Sequence, residues 1–264
     1  MSADSTSSSI KKRSWRDYLR ALGRAHQKAS VQLETSQPLL QHLNELRMRV
    51  FKAFGAVTLT TLLSFIFAGH IIDFLASPIG GKKSLVSIEV TENIAIFMKV
   101  SLLSGFVLGM PFIVYQALSF ILPGLTKKEK NYLIIGVPSA SLLFLSGVAF
   151  TWYVMLPAAV PFLTHFLGIP TQVRPINYFD FITRLMFWIG VCFEMPLVVM
   201  ILVSLKFLTA KQLAQEWRYV IVIIAVIAAV VTPTVDPVNM GLVMAPLLGL
   251  YLISLALAVL VEKR

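Results

Sequence analysis

Between Ala53 and Val261 the chain returns six times to an apolar run, and several of these runs reach the roughly 20 residues with which a helix crosses a hydrocarbon core of about 30 Å. The runs are Ala53 to Ile72, Val100 to Leu122, Tyr132 to Pro157, Leu185 to Leu205, Tyr219 to Val231 and Met240 to Val261. Only one of them, the fourth, contains an Asp, Glu, Lys or Arg, namely Glu194. Of all residues 57% are hydrophobic and only 14% charged, against about 25% charged in ordinary soluble domains, and the mean hydropathy is +0.79. The predicted fold class is therefore an all-α integral membrane protein with six transmembrane helices. The sixth is a further candidate for a short span, and the fifth is short, at about 20 Å for its length. It crosses only with local bilayer thinning or long neighbours.

The placement of Lys and Arg orients these spans. Lys11, Lys12, Arg13, Arg16, Arg20, Arg24, Lys28, Arg47, Arg49 and Lys52 precede the first. The loops after the second and fourth spans and the C-terminus are also basic, whereas the remaining loops hold only Lys82, Lys83, a border Lys99 and Arg174. This alternation predicts both termini in the cytoplasm; for a prokaryotic chain the location is the cytoplasmic (inner) membrane, and a thylakoid or mitochondrial inner membrane would show the same loop bias. It also accounts for the net charge of +10 as a fringe facing anionic lipid headgroups, with no nucleic-acid partner.

Residues 1–37 are a different kind of sequence from the membrane domain, 38–264. "MSADSTSSS" is polar and of low complexity. "SWRDYLRALGRA" sets Trp15, Tyr18, Leu19 and Leu22 at helical spacing among arginines, the pattern of a helix lying at the membrane surface; a solvated, weakly ordered tail is the alternative. No apolar stretch follows directly, so the segment does not read as a cleavable signal peptide.

Several chemistries are poorly supported. The single Cys192 lies inside a span, so a structural disulfide is not expected. His26, His42, His70 and His165 show no metal-ligand spacing, and neither a phosphate-binding glycine loop nor a nucleophile elbow is present. The expectation is a non-enzyme without cofactor, driven by an ion gradient or a partner.

The 13 acidic residues carry more information, because the cytoplasmic fringe is so basic. Glu45, in "PLLQHLNELRMRVF", and Glu129, in "LPGLTKKEKN", fall on the same predicted surface. Each would serve simply to neutralise a neighbouring cation, or the two would converge on a guanidinium, whose planar fork a carboxylate holds bidentately. Glu194 is costly in a span unless it faces protein or water, and Pro196 nearby weakens the helix and frees a carbonyl. A hydrogen bond to Ser or Thr on another helix is the bland alternative.

These residues carry a resemblance. "PLLQHLNELRMR" resembles the N-terminal signature of the TatC family, the signal-peptide receptors of the twin-arginine protein translocase. "LASPIG", "YQALSFILPGLTKKEK", "GVCFEMP" and "TPTVDP" follow in the family's order, so the resemblance covers nearly all of residues 37–261. It implies a cupped arrangement of six helices, a homo-oligomer within the receptor complex, and recognition of the arginine pair in the signal peptides of folded cargo. It also implies recruitment of the single-span partners TatA and TatB, with transport driven by the proton-motive force. On the matching positions, Glu45 and Glu129 bind the arginine pair, and Arg47, Phe120 and Pro123 contribute to recognition or its geometry. Pro78 matches a sensitive proline of the first outer loop, and Glu194 lines the concave face, where it perturbs the bilayer or meets a polar side chain of a partner. The chain departs from the family in "TPTVDP", one residue longer before Asp236 than the expected pattern, and in its longer N-terminal extension.

A polytopic secondary transporter or channel subunit, with Glu194 in the permeation path, is the rival. Transporters of that kind are built from internal repeats, and none is evident here. An intramembrane enzyme would need a second polar group at the depth of Glu194, and Arg184 and Lys206 read as the two ends of that helix.

Overall fold

The computed structural model describes residues 15–121, 130–165, 172–232 and 237–262, with side chains from residue 42 onward except those of 121 and 130–134. The chain divides into two compact units, 1–50 and 51–264. Helix α1 is Trp15–Ala76, α2 Glu92–Ile121 and α3 Lys130–Phe150; a π-helical turn, Thr151–Met155, leads into α4, Leu156–His165. Helices α5, Pro175–Phe193, and α6, Met195–Ser204, are separated only by Glu194, and α7, Ala210–Gln215, α8, Trp217–Val231, and α9, Pro237–Glu262, complete the chain.

Five stretches are long and apolar enough to cross a membrane: His42–Ile79, Glu92–Phe120, Ile135–His165, Pro175–Ser204 and Pro237–Glu262. With the shorter apolar helix Trp217–Val231 they make the six-helix frame that hydropathy predicts, and the last of them is of full length. The first span is longer at both ends than expected, His42–Ile79 instead of Ala53 to Ile72, and the boundaries of three others differ. The second span begins at Glu92 instead of Val100. The third continues beyond Pro157 to His165, because the π turn carries the ladder across the proline, with Leu156 N donating to Thr151 O. The fourth begins at Pro175 instead of Leu185, its first turn set by a proline at a position where the missing N–H costs nothing. Arg184 therefore lies within the fourth helix and does not mark its end.

Unit 51–264 is organised around α5, which packs on α2, α3 and the π turn, and also meets α6, α8 and α9. Tyr178, Phe179, Ile182, Leu185, Met186 and Ile189 are all buried, so this helix is covered on most of its faces. Helix α9 lies against α6 and α8. Two buried phenols join distant segments at backbone carbonyls left available to them: Tyr178 donates to Leu75 O (2.9 Å) and Tyr251 to Leu213 O (2.7 Å). Such pairing removes the cost of an unsatisfied hydroxyl in an apolar setting.

The chain leaves α1 through a 3-10 turn, Ser77–Ile79, containing Pro78. Gly80 closes it at φ 90°, a left-handed conformation that a side chain resists, and Gly81 N returns to Ala76 O (2.9 Å). A second turn, Lys82–Ser84, then brings Leu85 into a parallel bridge with Val173.

Candidate functional site

Glu45 belongs to unit 1–50 and lies on the stretch of α1 that carries the sequence signature. Arg49, one turn on, donates to it twice, from Nε (3.0 Å) and Nη2 (2.6 Å), and both bonds fall on Oε1. Oε2 is 4.0 Å from His42 Nδ1, beyond hydrogen-bonding distance. The Glu45 side chain is 37% exposed. The pair is half-buried, and an i, i+4 pair on a helix surface contributes about 0.3–0.5 kcal/mol, so it orients the carboxylate more than it commits it. A carboxylate accepts at about four lone-pair positions, which leaves room for a second guanidinium. The neutralising role and a binding role are thus compatible in one residue.

The other expected positions are placed as follows. Arg47 is exposed on α1, and Phe120 is half-buried on the last turn of α2. Pro78 is half-buried in the turn after α1, which accounts for its residue type without reference to any ligand. Glu129, Pro123 and Asp236 lie outside the described residues, so the convergence of Glu129 with Glu45 remains a proposal from the sequence.

Glu194 sits at the break between α5 and α6, at φ −74° and ψ −14°, with its N–H donating to Val191 O (3.1 Å) and its C=O accepting from Val198 N (3.0 Å). Pro196, in the first turn of α6, cannot donate to the helix before it, and the ladder restarts there. The side chain is half-buried, and its Oε1 is buried without a hydrogen-bond partner. The hydroxyls of the neighbouring stretch do not serve it. Ser141, Ser146 and Thr151 donate instead to carbonyls of their own helix, Val137 O, Leu143 O and Gly147 O (2.8, 2.6 and 2.9 Å). A buried polar atom left unsatisfied costs about 1–3 kcal/mol, and Glu194 offers that oxygen to whatever enters.

The sequence reading missed a cluster of charges at the other end of α2 and α5. Glu92, at 3% exposure, accepts from Arg174 Nε (3.0 Å) and Nη2, and from Ser87 Oγ (3.1 Å). Arg174 Nη2 also reaches Glu89 (2.9 Å). The hydrogen bond to Glu92 first, and that to Glu89 next, hold the Arg174 guanidinium above its ordinary value and so permanently charged. Nearby, Asp180 accepts from Lys99 Nζ (2.7 Å) and from Arg184 Nη2 (3.1 Å). Lys99, Arg174 and Arg184 are visible in the sequence as isolated cations; only the fold pairs them, in two separate networks. Arg174→Ala leaves Glu92 buried without its cation, and removing one partner of such a pair is strongly destabilising. The variant is expected to melt earlier in detergent and to be cleaved faster by protease within residues 82–90. Glu92→Gln with Arg174→Gln recovers most of the loss.

No group of His, Cys, Asp and Glu able to hold a metal ion occurs among the described residues. A polytopic all-α membrane protein, with an accessible carboxylate on its first helix and a polar break in its fourth span, is the class that fold and site define. A family model described as "Sec-independent protein translocase protein (TatC)" matches residues 41–246, and the chain belongs to the TatC family. It is 35% identical over 220 residues to the Sec-independent protein translocase protein TatC of Synechocystis sp., covering 83% of this chain and 86% of that protein. It is 38% identical over 217 residues to the chloroplastic TATC of Arabidopsis thaliana, covering 81% and 64% of the two. A crystal structure described as the twin arginine translocase receptor TatC superposes with a TM-score of 0.75 at 36% identity, over 84% of this chain and all of that one. A second, in the detergent DDM, gives 0.76 at 34% identity, over 82% and 99%.

Proposed function

We propose that this chain is the receptor subunit of a twin-arginine translocase: it binds the arginine pair of a folded cargo's signal peptide and recruits single-span TatA- and TatB-type subunits for export driven by the proton-motive force. Both termini face the cytoplasm in this reading, in the cytoplasmic membrane, and several copies assemble in the receptor complex. The observation that carries it is Glu45, a carboxylate in a basic helical stretch, oriented by Arg49 through Oε1, with Oε2 4.0 Å from His42 Nδ1. Glu129 supplies the second carboxylate. Two carboxylates in an otherwise cationic fringe make a local negative well, and guanidinium gains bidentate bonds there that ammonium does not. Arg47, Phe120 and Pro123 shape the approach, and the apolar part of the signal peptide lies along the helices.

The test is binding of a synthetic signal peptide, with Arg-Arg or Lys-Lys, to the detergent-solubilised full chain and to Glu129→Ala. The Arg-Arg peptide is expected to bind markedly tighter to the parent chain, with the preference lost in the variant. Equal binding of both peptides to the parent chain overturns the receptor reading.

The open oxygen of Glu194 is the counterpart for a polar side chain on a partner's single helix. Glu194→Leu is expected to abolish co-purification of single-span subunits while the Arg-Arg peptide still binds; Glu194→Gln, which keeps hydrogen-bonding capacity, retains most of it. Asp236 and Pro78 complete the loops that hold this arrangement.

A further inference from the structure

The segment between the first two spanning helices exposes three large apolar side chains at one end of the membrane domain. Residues 86–88 leave the bridge of Leu85 to Val173 without regular structure, with Val86 N donating to Val173 O (3.3 Å), and a bend at Glu89 and a turn at Val90 and Thr91 lead into α2, where Glu92 N donates to Glu89 O (3.3 Å). Two polar side chains of the segment, themselves exposed, are tied to the protein: Ser87 donates to Glu92, and Glu89, 64% exposed, accepts from Arg174. The apolar set between them, Val86, Ile88 and Val90, is 47%, 70% and 95% exposed. In water the hydrophobic effect would select the opposite arrangement, so the surroundings of these three residues are expected to be less polar than water.

The surrounding structure points to lipid. Ile94, Met98 and Leu102 continue the apolar patch at four-residue intervals along α2, all exposed, and so join it to a face by which that helix meets the bilayer. Helix α2 has 30 residues, about 45 Å at 1.5 Å per residue. A bilayer including its headgroup layers measures about 40–45 Å. With Ile121 at one membrane surface, the Glu92 end and the segment before it lie in the headgroup layer of the other. Lys83, exposed and without an ion pair among the described residues, stands beside the patch where lipid phosphates would be.

We propose that Val86, Ile88 and Val90 form a wedge seated in the lipid headgroup layer at the end of the membrane domain away from Ile121, held apolar-side-out by the Ser87–Glu92–Arg174–Glu89 network. The occupant of this surface is phospholipid. Arg174 and Glu92 position the wedge, and Lys83 contacts lipid phosphate.

The full chain carrying Cys192→Ser and Val90→Cys, labelled at residue 90 with a polarity-sensitive fluorophore, is reconstituted into vesicles of phosphatidylcholine and phosphatidylglycerol. Because Val90 is almost fully exposed, the label does not disturb the fold; Ile88→Cys gives an independent second position. Lipids spin-labelled near the glycerol backbone are expected to quench most of the emission, with iodide on both sides of the membrane quenching little. Strong quenching by iodide without quenching by spin-labelled lipid overturns the proposal, since the segment then stands in water. Shielding from both quenchers also overturns it, since protein, such as a second copy, then covers the patch.

Discussion

Glu45→Ala is expected to weaken binding of a twin-arginine signal peptide about ten- to a hundredfold and to erase its preference over the twin-lysine form. A hydrogen bond to a charged group contributes about 1.5–3 kcal/mol, and the variant loses that bond together with the geometry that separates guanidinium from ammonium. It also leaves Arg47, Arg49 and Lys52 as a run of cations facing a cationic ligand. Arg49→Ala is the control: it removes the residue that competes for Oε1 and leaves the carboxylate in place, so the preference for arginine persists. Fluorescence anisotropy of the labelled peptide on solubilised protein reads both. If Glu45→Ala binds the two peptides as the parent chain does, the Glu45–Arg49 pair is a surface ion pair and nothing more.

The largest structural effect is expected at Gly105→Leu. Even the first carbon of a side chain there would lie 2.3 Å from Thr61 Oγ1, 2.4 Å from Thr61 Cα and 2.6 Å from its N. Backbone atoms cannot move aside as a side-chain tip can, so α1 and α2 must separate. Separation also breaks the interhelical bond from Thr60 Oγ1 to Gly105 O (2.7 Å). Small residues permit such close approach of helices in membranes, where burial of apolar surface does not drive association. Overpacking costs about 1–3 kcal/mol, and more against a rigid backbone, read as a clear fall in the thermal midpoint in detergent. Gly55→Leu, at a position with nothing within 4 Å, is expected to leave that midpoint unchanged. Equal midpoints for both variants would mean that the α1–α2 contact is looser than its geometry implies.

These two cases divide along the line between local and long-range information. Glu45 is legible in the sequence because its setting is local: a signature within a dozen residues, and a partner one helical turn away. Gly105 is not, since nothing near it in the chain announces that Thr61 will press against it. Glu194 falls between. Its cost in an apolar run marks it at once, whereas the engagement of the nearby hydroxyls with their own helices, which leaves Oε1 alone, is a fact of side-chain geometry.

Hydropathy alone determined the six-helix frame, including the short helix Trp217–Val231, because a backbone in hydrocarbon must satisfy its hydrogen bonds within the segment, which makes spanning a property of each segment by itself. The ends of the second and fourth spans were decided only by tertiary structure. Lys99, Asp180 and Arg184 look like span boundaries when each charge is judged singly, and the helices run through them, with Lys99 meeting Asp180, 81 residues away; the second helix starts instead at Glu92, which meets Arg174, 82 residues away. The same long-range pairing ties Ser87 and Glu89 to Glu92 and Arg174 and leaves Val86, Ile88 and Val90 exposed without such ties. A charge is tolerated inside a membrane protein according to its partner in space, and that partner is set by how the helices pack.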